Sequence, residues 1–343
     1  MKNVLVIGSG GREHAFAWKF SKDQNINKVF CIPGNGGTAE IAINHNINIK
    51  DFNEIYNYVL EQEIDMIIVG PEGPLNDGIV DFFREKNIKI FGPDKFSSKL
   101  ECSKLFARDF MLKNNIPQPT YFECDNIEKA LKIKDKIGLP LVLKADGLAA
   151  GKGVLICHNE SEYDKGIKMM LEEKKFGSAS DKISIEECLI GEEVSVFAIC
   201  DGQNYKIIGN AQDHKRAFDQ DKGPNTGGMG AYSPTLVCTQ GFLDKVENRV
   251  IKPTLEGMSR MGHPFTGFLY VGLMIVDNEP YVIEFNVRMG DPETQVVIPR
   301  IKSSLYDLFN SCLNATLEDI DINFETDWYC TVVLASKGYP KII

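Results

Sequence analysis

The sequence predicts an α/β chain in three parts: a doubly wound parallel sheet, a small α+β unit, and a larger lobe of antiparallel strands. Three observations carry this. Over the first hundred residues, short apolar runs alternate with helical patterns. The proline-rich break Asn115-Ile-Pro-Gln-Pro119 ends that rhythm. Beyond Gly191 the chain turns to strand patterns with long loops, including a hairpin over 268–288.

In the first part, Val4–Ile7, Lys28–Ile32, Asp65–Val69 and Ile88–Phe91 are short apolar stretches without polar alternation. Parallel strands buried on both faces have this character. Helical patterns fall near 12–22, 51–62 and 75–87, with another near 96–115. Glycine and proline cluster at the strand ends, in Gly8-Ser-Gly-Gly-Arg12, Pro33-Gly-Asn-Gly-Gly37, Gly70-Pro-Glu-Gly-Pro74 and Gly92-Pro93. Ligands bind outside such ends, and the helix opened by Arg12 aims its N-terminus at the same rim, which suits an anion. A dinucleotide fingerprint fails at one position: the third glycine would be residue 13, and Glu13 would repel a pyrophosphate.

The second part, 120–190, holds a strand over Leu141–Lys144, a glycine-rich loop to Gly153, a strand over Val154–Cys157, a helix near 160–172 and a strand over Ile183–Glu187. The third part, 191–326, holds antiparallel strands, a helix over roughly 241–261, and a hairpin, Phe268–Val276 and Tyr281–Arg288, turning at Asp277-Asn-Glu-Pro280.

At 343 residues the chain is too long for one ordinary core. A net charge of −10 argues against nucleic-acid and anionic-membrane partners through bulk electrostatics, so an anionic substrate needs local basic groups. No apolar run approaches the roughly 20 residues of a membrane helix. Nine scattered cysteines without a CxxC pair argue against structural zinc or a disulfide framework, and place the protein in the cytosol.

Residues 281–291, Tyr-Val-Ile-Glu-Phe-Asn-Val-Arg-Met-Gly-Asp, carry the most chemical information. Strand alternation puts Tyr281, Ile283, Phe285 and Val287 on one apolar face, and Glu284, Asn286 and Arg288 on the other. A carboxylate, an amide oxygen and a guanidinium in a row can hold a hard cation and a phosphate; a solvated edge strand would look the same in isolation. The loop Lys144-Ala-Asp-Gly-Leu-Ala-Ala-Gly-Lys-Gly153 joins two strands, unlike a Walker loop, which runs into a helix. It reads as a flap over a triphosphate, its alternative being a plain glycine-rich turn. Ile185-Glu-Glu-Cys-Leu-Ile-Gly-Glu-Glu193 can present backbone groups to a purine edge and a carboxylate to ribose hydroxyls, or its acidic pair can simply be solvated.

This order of features resembles the ATP-grasp superfamily. Gly8-Ser-Gly-Gly-Arg-Glu-His14, Val69-Gly-Pro-Glu72, the loop 144–154, Gln212-Asp-His-Lys-Arg216, Gly223–Pro234, Tyr270–Met274 and Gly290-Asp-Pro-Glu-Thr-Gln295 resemble the phosphoribosylamine–glycine ligase family, over the chain from its start to about Pro340. The resemblance implies a Rossmann-like N-terminal domain (1–119) followed by an ATP-grasp fold, with a flap lobe (120–190) and a main lobe (191–326). It also implies that 327–343 begin a C-terminal domain that is largely missing, their strand disordered or paired out of place.

The implied reaction joins glycine to 5-phosphoribosylamine through glycyl phosphate, with ATP as the activating group, in purine biosynthesis. ATP and Mg2+ or Mn2+ are the implied cofactors, and the protein a monomer or weak dimer. Lys104, Lys144, Gly147, Gly151, Lys152 and Gly153 would meet the ATP phosphates. Glu186, Cys188, Leu189 and Glu193 would frame the adenosine, partly through main chain. Glu284 and Asn286 would hold the metal; Arg288, Asp291, Asp213 and Lys215 form the implied catalytic set. His214, Arg216, Asn225, Thr226, Gly227 and Gly228 would face glycine and the aminosugar, though His214 reads equally well as structural. Gly10, Gly11, Asn35, Gly70, Pro71 and Glu72 would line the sugar-phosphate side. One departure is visible: the strand 269–274 lacks the acidic metal ligand that many ATP-grasp enzymes carry there. Another carboxylate–amine ligase, or a nucleotide-binding protein without turnover, are the alternative readings.

Overall fold

The computed structural model describes residues 1–147, 153–220 and 222–340. The chain opens with a five-stranded parallel sheet in the order β3-β2-β1-β4-β5. Its strands are β1 (Lys2–Gly8), β2 (Ile26–Pro33), β3 (Ile43–Asn44), β4 (Met66–Val69) and β5 (Ile90–Phe91). Helix α1 (Gly11–Ser21) follows β1, and α2 (Phe52–Glu61) leads to β4. The predicted helix near 75–87 is two helices, α3 (Glu72–Asp77) and α4 (Ile79–Glu85), because Gly78 adopts φ +95° between them. The predicted 96–115 helix likewise divides into α5 (Lys99–Cys102) and α6 (Lys104–Lys113); Ser103 is extended there and caps α6 by accepting from Phe106 N.

The flap lobe is a four-stranded antiparallel sheet, order β6-β9-β7-β8: β6 (Tyr121–Cys124), β7 (Leu141–Ala145), β8 (Val154–Cys157) and β9 (Ile183–Glu187). The main lobe is a six-stranded sheet, order β16-β15-β10-β11-β14-β17. Its strands are β10 (Glu192–Asp201), β11 (Tyr205–Asp213), β14 (Gly230–Ser233), β15 (Thr266–Val276), β16 (Glu279–Asn286) and β17 (Tyr329–Val332); a small hairpin, β12 (Arg216–Phe218) and β13 (Lys222–Asn225), projects between β11 and β14. The β15–β16 hairpin turns on Asp277 and Asn278 alone, both at positive φ (+50° and +61°), the conformation of a two-residue hairpin turn.

Two findings concern organisation. The strand after 326, expected to be disordered or paired out of place, is ordered and pairs with β14, antiparallel, as the edge of the main sheet. The first part shares its apolar packing with the main lobe: Leu5, Ile67 and Phe83 lie in one apolar cluster with Val196, Leu269 and Phe285, and Phe16 and Phe91 lie in another with Phe268 and Phe309. Among the described residues, only the flap lobe keeps a core to itself, built on Leu143, Tyr163 and Ile185. No helix among the described residues is long and apolar enough to cross a membrane.

Candidate active site

A cleft of about 420 Å³ is lined by the flap sheet on one side and the β10–β15–β16 surface on the other. One end is apolar, with Met111, Val142, Ile156 and Leu189; the other gathers Lys215, Glu284, Asn286 and Arg288. Charged side chains converging on a cleft with apolar walls suit a small polar ligand, and the density of charge here is higher than in most small-molecule sites.

Lys144, on β7, reaches the middle of the cleft. Its Nζ donates to Ile283 O (2.9 Å) and pairs with Glu186 Oε2 (3.0 Å). Burial lowers its pKa, which the neighbouring Glu186 partly offsets. Glu186, from β9, is expected from the sequence to frame an adenosine. Its carboxylate is instead fully engaged within the protein: Arg108 Nε and Nη2 donate to it at 2.9 and 2.6 Å, and Ser184 Oγ donates at 2.9 Å. Burial pushes that carboxyl up, but Arg108 and Lys144 outweigh burial and bring it down to about 2. Cys188 and Leu189 follow at the same strand end and line the cleft. Arg108 was not visible as a site residue, since one arginine on an amphipathic helix gives no signal.

The row on β16 is present, but not by simple alternation. Gly272 pairs with Glu284 and Leu273 with Val282, so Ile283 is an extra residue, a β-bulge. Val282, Phe285 and Val287 are buried in the core, whereas Ile283, the extra residue, is only half-buried; the expected grouping of Ile283 with Phe285 on one core face is thus corrected, although both residues border the cleft. The bulge turns two carbonyls toward Arg108, whose Nη1 and Nη2 donate to Val282 O and Ile283 O, both at 2.8 Å. Glu284, Asn286 and Arg288 all face the cleft. Arg288 is held by Glu101 (Nη2 to Oε1, 2.7 Å) and lies near Glu72 (3.5 Å). Burial opposes its charge, and those two carboxylates more than restore it.

Beside this row, Lys215 contacts Glu193 and lies 3.8 Å from Glu284. Burial works against the ammonium, yet Glu284, Glu193 and Asp213 raise its pKa well above the ordinary value. Burial pushes the Asp213 carboxyl up, with Lys215 opposing. The walls of the cleft also push Glu284 up, but Lys215, Lys144, Lys104 and Arg288 keep it below its usual value, hence ionised. Lys104 Nζ donates to Gly147 O (3.2 Å) at the flap base, and Gly153 lines the cleft at the far side of the loop. Gly151 and Lys152 lie outside the described residues.

The expected sugar-phosphate side is split. Gly10 and Pro71 border a second, smaller hollow beside Arg12 and Asn48, whereas Glu72 lines the main cleft. The N-terminus of α1, expected to suit an anion, is partly occupied by the protein's own carboxylates. Glu13 Oε2 accepts from Gly10 N (2.6 Å) and Asp291 Oδ2 accepts from Arg12 N (3.2 Å). Glu13 is therefore a helix cap, which is why no third glycine stands there. Gly11 and Gly70 are packing positions; a Cβ would fall 2.5 Å from Gln295 Nε2 and 1.8 Å from Glu13 Oε1, respectively. Asn35 ties two strand ends, its Nδ2 donating to Ser9 O (2.9 Å).

In the loop after β11, Asn225, Thr226 and Gly227 line the cleft with Asp213 and Asp291. His214, Arg216 and Gly228 do not. The His214 ring stacks near Tyr232 (6.2 Å), Arg216 Nη1 donates to Gly223 O (2.8 Å), and Gly228 sits at φ +127° against Pro292. Sequence reasoning missed Tyr270 and Glu293, both buried and both lining the cleft, although Glu293 stands inside the Gly290–Gln295 string.

Among the described residues, no three His, Cys, Asp or Glu side chains cluster as a protein-only metal cage. One ionised carboxylate, Glu284, beside one amide, Asn286, with Lys144, Lys104 and Arg288 to balance phosphates, fits a magnesium-type ion that shares its ligands with a nucleotide.

The family model for the phosphoribosylglycinamide synthetase N domain matches residues 2–101, and that for its ATP-grasp (A) domain matches residues 102–294. The chain is 46% identical over 338 residues to phosphoribosylamine–glycine ligase of Clostridium acetobutylicum, covering 98% of this chain and 81% of that one. It is 46% identical over 340 residues to the Vibrio parahaemolyticus ligase, covering 98% and 79%. The crystal structure of the Thermotoga maritima ligase superposes with a TM-score of 0.84 at 34% identity, over 98% of this chain and 81% of that chain. With both family domains in sequence and this cleft assembled from their residues, the chain belongs to the phosphoribosylglycinamide synthetase family.

Proposed function

We propose that this chain ligates glycine to 5-phosphoribosylamine with ATP, giving glycinamide ribonucleotide, ADP and phosphate for purine biosynthesis. The observation that carries the reading is a single cleft that joins an apolar end, the cations Lys144, Lys104 and Arg288, and the Glu284–Asn286 pair. Asp291 links that cleft to the first turn of α1, beside the hollow at Gly10.

The chemistry has two stages. A glycine carboxylate oxygen attacks the γ-phosphorus, ADP leaves, and glycyl phosphate forms. The amine of phosphoribosylamine then adds to the acyl carbon and displaces phosphate. Phosphoryl transfer depends on positioning and on charge balance more than on covalent help. Lys144 is fixed for this by Glu186 and the Ile283 carbonyl, so its ammonium enters the cleft already oriented. Arg288 is braced in the same way by Glu101. The apolar end, with Cys188 and Leu189, accepts the base, and Glu193 the ribose. Glu284 and Asn286 would hold magnesium or manganese, which when bound neutralises charge on the transferring phosphoryl group. The free thiols suit the cytosol.

Coupled ADP release tests this reading. Release is expected only with ATP, glycine and phosphoribosylamine together. Equal release with phosphoribosylamine omitted, or with another acid in place of glycine, would refute the assignment.

A further inference from the structure

Resting on that reading, the second stage poses a proton problem that the residues above do not solve. As the amine nitrogen bonds to the acyl carbon, the carbon–oxygen bond to phosphate breaks and phosphate leaves with that electron pair. The nitrogen is then left with one proton too many. Lys144, Lys215 and Arg288 are cations and cannot take it. Glu284 is committed to the phosphoryl side of the cleft, both Asp291 oxygens already accept, from Arg12 N and Gln295 Nε2, and Asp213 faces the Lys215 ammonium.

Glu293 stands apart from these. It is 3% exposed yet lines the cleft, and no Lys, Arg or His lies within salt-bridge distance of it among the described residues. Its Oε1 accepts from Tyr270 Oη (2.8 Å), and Tyr270 Oη in turn accepts from Ser195 Oγ (2.8 Å). Tyr270 and Ser195 are themselves buried, on β15 and β10. Both donors point toward Glu293, so the chain is polarised to hold a carboxylate and leaves Oε2 for another donor. Gly290 gives Oε2 its room, since a Cβ there would fall 2.2 Å away. The segment 290–293 also spans the two halves of the reaction. At Asp291 it accepts from the first turn of α1, on the aminosugar side; at Glu293 it enters the cleft near Lys215 and Asp213.

We propose that Glu293 is the proton acceptor for the attacking amine, with Tyr270 and Ser195 as positioning residues. One N–H proton passes to the Glu293 carboxylate as the N–C bond forms, and leaves later to solvent or to the departing phosphate. Burial, and next the Asp213 charge, push the Glu293 carboxyl up to about 7, where a general base works best at neutral pH. The titratable and charged groups around it are Asp213 at the end of β11 and Lys215 just after it, Tyr270 on β15, Arg288 and Asp291 on its own loop, and Arg12 and Glu13 on α1.

The test separates the two stages. Oxygen scrambling in β,γ-bridge-labelled ATP reports reversible glycyl phosphate formation, which needs no amine proton transfer; glycinamide ribonucleotide formation needs it. In the unaltered chain, amide formation is expected to fall as pH drops below about 7, while scrambling does not fall on the same limb. Glu293→Gln is expected to slow amide formation by roughly 10²–10⁴-fold, to lose that limb, and to keep glycine-dependent scrambling. Gly290→Ala, which crowds Oε2, is expected to act in the same direction more weakly. Absence of glycine-dependent scrambling in the unaltered chain would overturn the ligase reading itself. Scrambling that falls in parallel with amide formation in Glu293→Gln, or amide formation that stays fast in that variant, would overturn the role of Glu293 alone. Should Glu293→Gln not fold, the pH profiles of the unaltered chain decide, since coincident limbs for the two stages would refute the proposal.

Discussion

Glu186 shows how one buried carboxylate organises the cleft through its protein partners. It accepts from Arg108 Nε and Nη2 and from Ser184 Oγ, and it pairs with Lys144. Removing one partner of a buried pair leaves the others uncompensated, at a cost of about 3–5 kcal/mol. Glu186→Gln is expected to lose stability on that scale in urea unfolding, together with ATP affinity, because Lys144 loses its brace. The sign with pH follows from a folded value near 2 against an ordinary 4.5. The contribution of Glu186 is present above the unfolded pKa and is lost as pH falls from there toward 2. Glu293 has the opposite sign. With its carboxyl raised to about 7 from 4.5, its folded environment favours the protonated form, and stability is lost as pH rises through that range. Glu293→Gln is therefore expected to raise the melting temperature at pH 8 and to make little difference at pH 4. A melting temperature that fell at pH 8 would contradict the burial argument. At the metal pair, Glu284→Ala is expected to slow turnover by roughly 10²–10³, and near-normal rates at saturating magnesium would refute its ligand role.

At the scale of elements, strand periodicity located β16 but not its phase. Alternation counts side chains and is blind to the extra residue at Ile283 that re-aims the strand between Val282 and Glu284. The row Glu284, Asn286, Arg288 was still legible because the bulge lies before it. Helix breaks were less legible. The pattern over 75–87 continues through Gly78, and only its positive φ divides the helix. The N-terminus of α1 was legible as a helix start, but not as one partly satisfied by Glu13 and by Asp291 from 279 residues away. Such long-range partners leave no local trace. The break before α6 has a use of its own. Asp146 at the flap base accepts from Ser103 Oγ (3.0 Å) and from Leu105 N (3.2 Å), so the first turn of α6 is capped from the flap lobe. Asp146→Ala is expected to cost about 1 kcal/mol, as other caps do, and to speed hydrogen exchange at the Leu105 amide. Unchanged protection at Leu105 would mean the tie carries no energy.

At the scale of the whole molecule, the sequence divided the chain by composition and breaks, and the packing divides it differently. The parallel sheet and the main lobe share two apolar clusters, so neither has an interior that closes without the other. The flap lobe closes its own, around Leu143, Tyr163 and Ile185. The flap lobe is tied to the rest by polar contacts that include Arg108 with Glu186, Lys144 with the Ile283 carbonyl, and Asp146 with the start of α6. Cooperative units follow shared apolar contact rather than chain order, so two units are expected: residues 120–190, and everything packed with the parallel sheet. Leu143→Ala deletes a fully buried side chain in the flap core, which typically costs about 2–5 kcal/mol. Native-state hydrogen exchange is expected to show that loss at Leu143, Ile183 and Ile185, with amides at Ile7, Val69 and Leu269 unchanged. Because Lys144 sits on the same strand as Leu143, ATP binding is expected to restore part of the lost protection by pulling the flap lobe onto the cleft. If protection fell equally at Ile7 and Leu269, the polar ties would be strong enough to make the chain one unit, and the flap lobe could not open independently of the main sheet.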